Sequence, residues 1–476
     1  MNKRYTDSYK YLAKNTVLFT ISSFGSKFLT FFLTLLYTRC LTPSEYGTGD
    51  IINTTAILCI YVLTITISHS VMRFSIENVE RSDLVLRFGF KVLIIGTSVL
   101  TFGTVIVRSL HVIQWEDYCY GFLILIFFSH ALEEMLGYYL RAIDKIRIMV
   151  VSSLISTGVK LVTSFVLLYF FNYGLIGYLI SLVIGPICSV IISFCSIAPL
   201  KHSTATKAEI QLLQSDMIRY AIPSAINAVG WWIAGNIDRY YLVAMEGAAI
   251  NGIYSVAYKI PAIVGTVTNI FSQAWNLSAI KEYDKETKKD NTGFFSKMYG
   301  LLTAIAFVLC SVIILFNIPI ARVLFAKEFF EAWIYSPILL LGTVFNCIAV
   351  FFGGIFSAAK HNSELAYSMI ISMLTNILLN SILIPKFSAF GAAIATFISY
   401  YIVFITRFIF SKRYLHFQTH MLGVHIVLVL LCIQIYFALR PSHYYFGQLV
   451  IIAILFIIYR NEFFFLFRKG IDMLKK

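Results

Sequence analysis

An all-α, polytopic transmembrane helical bundle is expected from three features of the amino-acid sequence. Of its 476 residues, 59% are hydrophobic and only 13% are charged, about half the charged share of a typical soluble domain; mean hydropathy is +0.79. Apolar stretches of about 20 residues, the length needed to cross ~30 Å of hydrocarbon, recur from end to end. Lysine and arginine are distributed unequally between alternate connecting segments, the mark of a chain threaded through a bilayer.

Taken in order, the polar, basic start with Lys3, Arg4, Lys10 and Lys14 leads into an apolar run at 15–38. That run is too long for the core of a cleaved signal and lacks a small-residue cleavage site after it, so it reads as a retained first span. Segments 49–73, 84–107, 119–140, 148–171 and 175–198 complete a set of six. Segments 217–243, 252–278, 294–316, 332–358, 365–384 and 391–410 form a second set. Segments 421–438 and 445–460, parted by the short break Leu439 to Tyr444, close the chain at fourteen spans.

Short likenesses pair the two sets. Glu45-Tyr46-Gly47 resembles Ile250-Asn251-Gly252-Ile253-Tyr254, Tyr173-Gly174 resembles Phe390-Gly391, and Leu140-Arg141-Ala142 resembles Ser357-Ala358-Ala359. Six spans separate each pair, and an even number preserves direction through the membrane, which makes this a parallel repeat. The expected organisation is a lobe at 1–206, a second lobe at 207–416 and a two-helix tail at 417–476.

With the N-terminus inside, inner segments hold twenty-four Lys and Arg residues and outer loops hold six: Arg39, Arg108, Arg322, Lys327, Lys386 and Arg440. This bias places both termini in the cytoplasm. It also accounts for the formal charge of +14, since inner-face cations meet anionic lipid headgroups and nucleic acid is not implied. The longest polar connections, 199–216 and 279–293, are too short for a soluble catalytic domain, and there is no D-x-D sugar-nucleotide motif. A phosphate-binding G-x-x-x-x-G-K-[ST] sequence is likewise lacking. Eight cysteines are scattered with no C-x-x-C spacing and are expected to be buried free thiols. No metal or cofactor is called for.

Ionised groups inside spans are expensive, at least ~2.5–3.5 kcal/mol each on insertion scales. Lys27 and Lys160 lie well inside theirs, on polar helical stripes: Ser23, Lys27, Thr30 and Thr34 in the first span, and Ser153, Thr157, Lys160 and Ser164 in the fifth. The seventh span carries Ser224, Asn227, Trp231 and Asp238-Arg239, the eighth Ser255, Lys259, Thr266 and Asn269, and the eleventh Ser372, Asn376 and Asn380. Such stripes face a bundle interior or a wet cavity, and their neutral members serve equally as interhelical glue. Lys91, Arg219 and Arg407 stand near inner ends and are expected to snorkel. Arg73 ends the second span. Lys160 is the expected partner of one carboxylate of Glu133-Glu134. His69 and His130 have two readings, hydrogen-bonded packing or proton relay. Pro186, Pro223, Pro261 and Pro337 fall within or at the starts of spans, where each removes a backbone donor.

Several of these stretches resemble a known family. Phe24-Gly25-Ser26-Lys27-Phe28, Tyr37-Thr38-Arg39-Cys40-Leu41-Thr42-Pro43-Ser44-Glu45-Tyr46-Gly47 and Val71-Met72-Arg73-Phe74 are similar to the opening of bacterial polysaccharide flippases. Tyr220-Ala221-Ile222-Pro223, Asp238-Arg239-Tyr240-Tyr241 and Gly252-Ile253-Tyr254-Ser255-Val256-Ala257-Tyr258-Lys259-Ile260 are similar to the start of their second half. The family is the Wzx-type O-antigen and capsule repeat-unit translocases, within the multidrug/oligosaccharidyl-lipid/polysaccharide exporter superfamily. The resemblance covers the first twelve spans. It implies two lobes around a cavity lined by the first two helices of each, in the bacterial inner membrane. It also implies an undecaprenyl-pyrophosphate-linked oligosaccharide as substrate, with Lys27, Arg73, Asp238, Arg239 and Lys259 at matching positions. Lys160 joins them from its stripe. The implied partners are the lipid-linked substrate, membrane lipids, a glycan polymerase and glycosyltransferases, with a proton or sodium ion as an open coupling partner. A multidrug/cation antiporter and a lipid II flippase of the same superfamily are the alternatives. The antiporter would want acidic residues deepest, whereas the deepest lone charges on the sequence are basic.

Overall fold

The computed structural model describes residues 25–77, 81–111, 113, 115–197, 206–287, 293–359, 361, 363–440 and 444–474. The basic N-terminal stretch with Lys3, Arg4, Lys10 and Lys14, and Ser23 of the first stripe, lie outside them. Among the described residues the structure is all-helical, with no strand. Residues 25–40 form α1. Then come α2 (Pro43–Leu63), α3 (Ile67–Glu77), α4 (Ser82–Ser109), α5 (Asp117–Ala142), α6 (Ile146–Phe165, continued by a π turn to Phe170) and α7 (Gly174–Ser196). After them come α8 (Lys207–Glu246), α9 (Ala248–Ala257), α10 (Ala262–Thr287), α11 (Phe294–Leu315), α12 (Asn317–Leu324), α13 (Ala332–Ala358), α14 (Ser363–Ser411), α15 (Met421–Leu439), α16 (Tyr445–Ile458) and α17 (Arg460–Leu474).

Where described, the predicted spans fall on helix apart from breaks in two of them. Nine helices among the described residues are long and apolar enough to cross a membrane, and the other predicted spans fall on helix that is shorter or more polar. The long α14 is two of the predicted spans. Ser388 leaves helical geometry at φ 51°, ψ −135°, and Ser372 Oγ donates to the Ser399 carbonyl at 3.0 Å, so the chain folds back as a hairpin. The eleventh-span stripe is therefore glue: Ser372 ties the hairpin, and Asn380 Nδ2 donates to Asn376 Oδ1 at 3.0 Å.

The chain divides into two compact units, Met1–Trp232 and Ile233–Lys476. In the first, α5 is central and packs on α2, α3, α4, α6 and α7. The apolar windows of α4 and α6 are only 22% buried, against 56% for α5 and α7, so α4 and α6 turn an apolar surface outward, as lipid contact requires. In the second unit α13, 78% buried, packs on α9, α10, α11, α12, α14 and α15. Its aromatic core joins Trp275, Phe295, Tyr299 and Phe351, and Trp275 Nε1 donates to the Phe351 carbonyl at 2.7 Å. Ser311 of α11 and Gln434 of α15 exchange hydrogen bonds at 2.5 and 2.9 Å, which fastens the tail to this core.

Three of the prolines follow one rule. A helical carbonyl accepts from the amide four residues on, and proline has no such hydrogen; inside a membrane the orphaned oxygen must be satisfied by protein. Pro186 frees the Leu182 carbonyl, which His130 Nε2 of α5 approaches at 3.1 Å. Pro261 frees that of Ala257, to which Ser336 Oγ of α13 donates at 3.1 Å. Pro337 frees that of Trp333, to which Asn317 Nδ2 of α12 donates at 2.8 Å. His130 is thus an Nε2 donor in a packing role.

The Thr42-Pro43-Ser44-Glu45 stretch has an equally local cause. Proline opens α2, Thr42 Oγ1 accepts from the Glu45 amide at 3.3 Å, and Glu45 accepts from the Thr42 amide at 2.9 Å, a capping box. The same carboxylate receives the Leu175 amide at 3.3 Å. Gly174 precedes it at φ +50°, where a Cβ would run into Glu45, which explains the Tyr173-Gly174 pair. Thr206 and Glu209 repeat the device at the start of α8. There the Thr206 amide, followed by Arg81, holds the exposed Glu209 carboxyl below its ordinary value.

Four expectations are corrected. Arg407 does not snorkel: it is 2% exposed, donating to Ser368 Oγ at 3.0 Å and the Ala349 carbonyl at 3.2 Å, because its face of α14 packs on α13. Cys195 and Cys432 are free but exposed, since outward helix positions in a membrane bundle are as apolar as inward ones. The second and eighth spans are each broken, at 64–66 and 258–261. Finally, α12 and α17 are helices where connecting segments were expected.

Candidate functional site

The second unit builds a buried polar cluster around Asp238, which is 2% exposed. Tyr254 and Tyr258 lie four residues apart at the end of α9 and so share one helical face. Both donate to Asp238 Oδ2, at 2.6 and 3.0 Å. Thr396, on the returning arm of α14, donates to the same oxygen at 3.3 Å. The Arg239 amide donates to Oδ1 at 3.0 Å. Tyr400, one turn beyond Thr396, sets its hydroxyl against Gly235. The Arg239 guanidinium lies 5.7 Å from the Tyr258 ring centroid, a cation–π arrangement. Lys259 follows Tyr258 in the turn that breaks the eighth span and is half-buried.

This cluster gives a physical reason for two quoted stretches. Asp238-Arg239 supplies the carboxyl and the cation, and Tyr254-Ser255-Val256-Ala257-Tyr258 supplies two hydroxyls. Both carboxyl oxygens are engaged by protein donors, so Asp238 positions its neighbours. The break is held open by Pro261, and Ser336 satisfies the carbonyl it frees. The Arg239 cation is thereby set beside one carboxyl group, and Lys259 follows Tyr258 at the helix break; cations at such a break suit an anion.

The first unit builds a second cluster on α5. Glu134 accepts from Ser68 Oγ at 2.9 Å. Glu133 has Ser156, Ser189 and Lys160 around it. Gly185 admits this: α6 comes so close that a Cβ there would meet the Ser156 carbonyl at 2.7 Å and Lys160 Cβ at 3.1 Å. His69 Nε2 and the Tyr138 hydroxyl are 3.1 Å apart, and Arg141 lies 5.4 Å from the Tyr138 ring centroid.

Of the six predicted residues, Asp238 and Arg239 sit together in this cluster, and Lys259 follows its Tyr258 in the chain. Lys160 lies in the α5 cluster. Lys27 is exposed on α1. Arg73 is exposed on α3 and pairs with Glu77 at 2.6 Å. Among the described residues the most buried charges are Asp238 and Arg407, not the lysines that stand deepest along their spans, because distance along a span measures depth in the bilayer and not depth within the bundle. Tyr254, Tyr258 and Thr396 had no assigned role from sequence. The i, i+4 tyrosine pair was the available signal for two of them, and nothing local marked Thr396. Asp50 on α2 is buried as well.

Comparisons with known proteins agree with this architecture. No protein-family model matches the chain. The capsular polysaccharide biosynthesis protein CapF of Staphylococcus aureus is 29% identical over 195 residues, 40% of this chain and 48% of that protein; the chain thus matches about half the length of this curated relative. Among solved structures, the lipid II flippase MurJ in an inward closed conformation superposes with a TM-score of 0.70 at 16% identity, covering 94% of this chain and 99% of that one. An inward-facing multidrug resistance MATE family transporter of the MOP superfamily gives 0.65 at 12% identity, covering 81% and 94%. A MOP superfamily transporter from Pyrococcus furiosus gives 0.57 at 13%, covering 84% and 95%. At these identities the likeness is one of fold. The chain is a multi-pass membrane protein with the transporter fold of the MATE and MurJ members of the MOP superfamily.

Proposed function

We propose that the chain is a flippase that carries undecaprenyl-pyrophosphate-linked oligosaccharide repeat units from the inner to the outer leaflet of the bacterial plasma membrane, with both termini cytoplasmic. The observation that carries the proposal is the Arg239 cation beside buried Asp238 and over Tyr258, with Lys259 next in the chain at the helix break. A pyrophosphate head cannot cross hydrocarbon unaided, and fixed donors replace its lost hydration. The polyprenyl tail stays in lipid, so only the head needs a path. In the first unit, Lys27, Arg73 and Lys160 are the proposed cations. Partial likeness to a capsular polysaccharide biosynthesis protein supports the class of cargo. Glycosyltransferases would supply the substrate and a glycan polymerase would consume it. The inside-negative potential favours export of an anion by ~2.3 kcal/mol per charge per 100 mV.

The test is complementation of a bacterial strain lacking its own repeat-unit flippase. Lys27→Ala, Arg239→Ala and Lys259→Ala, each expressed at the level of the parent, are expected to lower surface glycan by about tenfold or more, the size of one charge-assisted hydrogen bond. Full glycan from all three variants would overturn the assignment. A second reading, transport of lipid II, is favoured by the superposition on MurJ. Rescue of cells depleted of their lipid II flippase, without rescue of the glycan mutant, would select it.

A further inference from the structure

In the second unit, the starts of α11 and α15 and the α16–α17 junction line a cavity of about 960 Å³. This is within the range of small-molecule sites. Its wall carries charges of both signs. Lys297 comes from the first turn of α11, His416 and His420 from the loop before α15, and Glu462 from the first turn of α17; Tyr459 and Phe465 add aromatic surface. No salt bridge joins Lys297 to Glu462 among the described residues. Glu462 Oε2 is buried with no hydrogen-bond partner there. Gly300 lies against it, where a Cβ would sit 3.4 Å from Glu462 Oε1.

A carboxylate facing a lysine and two histidines across such a space suits a ligand that brings a cation to Glu462 and an anion to Lys297 and the histidines. The surroundings say where such a ligand comes from. On the other side of α17, Phe464 and Phe467 are 66% and 69% exposed, flanking Arg460 in an apolar trough. A helix with exposed phenylalanines and basic residues lies at a bilayer interface. The helix ends around the cavity carry Lys297, Lys412, Arg413 and Arg460, the cations that the charge bias assigns to the inner face. The cavity therefore opens at headgroup level.

We propose that it binds the headgroup of an aminophospholipid, phosphatidylethanolamine, with its phosphate on Lys297 and the two histidines and its ammonium on Glu462. The acyl chains would remain in lipid beside α16 and α17. This inference is independent of the cargo proposed above.

The test uses the purified full-length protein in detergent, with thermal unfolding and native mass spectrometry as readouts. The added probes are phosphatidylethanolamine, phosphatidylglycerol and phosphatidylcholine of identical chains, and soluble phosphoethanolamine. Phosphatidylethanolamine is expected to raise the melting temperature and to be retained as one bound molecule, with the other three giving no comparable shift. Glu462→Gln should abolish the preference over phosphatidylglycerol, and Lys297→Met should weaken phosphatidylethanolamine by about tenfold. His416→Ala serves as a further variant if either fails to fold. Equal stabilisation by phosphatidylglycerol or phosphatidylcholine would overturn the headgroup assignment. Equal stabilisation by soluble phosphoethanolamine would overturn the lipid, and no shift with any probe would overturn the site.

Discussion

Oδ2 of Asp238 receives three hydroxyls from two other helices, and their loss should be graded. Tyr254→Phe removes the shortest of the three bonds while keeping the ring. It should destabilise the protein by about 1–3 kcal/mol, the cost of under-satisfying a buried polar group. Tyr258→Phe retains the ring beside Arg239 and removes a longer bond, so its loss should be smaller. Thermal unfolding of the purified variants checks the order; parent-like stability of Tyr254→Phe would break the account. Charge at this site was legible as the sequence pair Asp238-Arg239, but its burial was not. Lys27 stands well inside its span and is exposed, while Arg407 stands near an end and is buried. A residue's place along a helix does not say which way that helix faces.

At the level of elements, proline and its distant donor form a unit that can be tested by a double-mutant cycle. His130→Ala should cost about 1–3 kcal/mol, because the Leu182 carbonyl is left without a donor inside the bundle. In a Pro186→Ala background, residue 186 regains its amide and the same His130→Ala change should cost clearly less. Equal cost in both backgrounds, measured by unfolding, would show that His130 does something else. The prolines themselves were plain in the sequence. The donors were not, since nothing near His130, Ser336 or Asn317 announces the carbonyl that each will meet. The helix breaks at 64–66 and 258–261 escaped for a related reason: continuous hydropathy hides a change of backbone direction.

For the whole molecule, the charge bias makes a prediction about threading. Alkaline phosphatase fused after either terminus should be silent, and fused into the loop around Arg322 and Lys327 it should be active. The opposite pattern would invert the topology and, with it, the direction of transport proposed here. The all-helical architecture and the recurrence of long apolar segments were readable from the chain because the free energy of moving a side chain into lipid is a local property that adds along a helix. The sites were not readable in that way. Which carboxyl meets which hydroxyl, and which histidine meets which freed carbonyl, joins residues 158 and 52 positions apart, and such meetings exist only once the helices have packed.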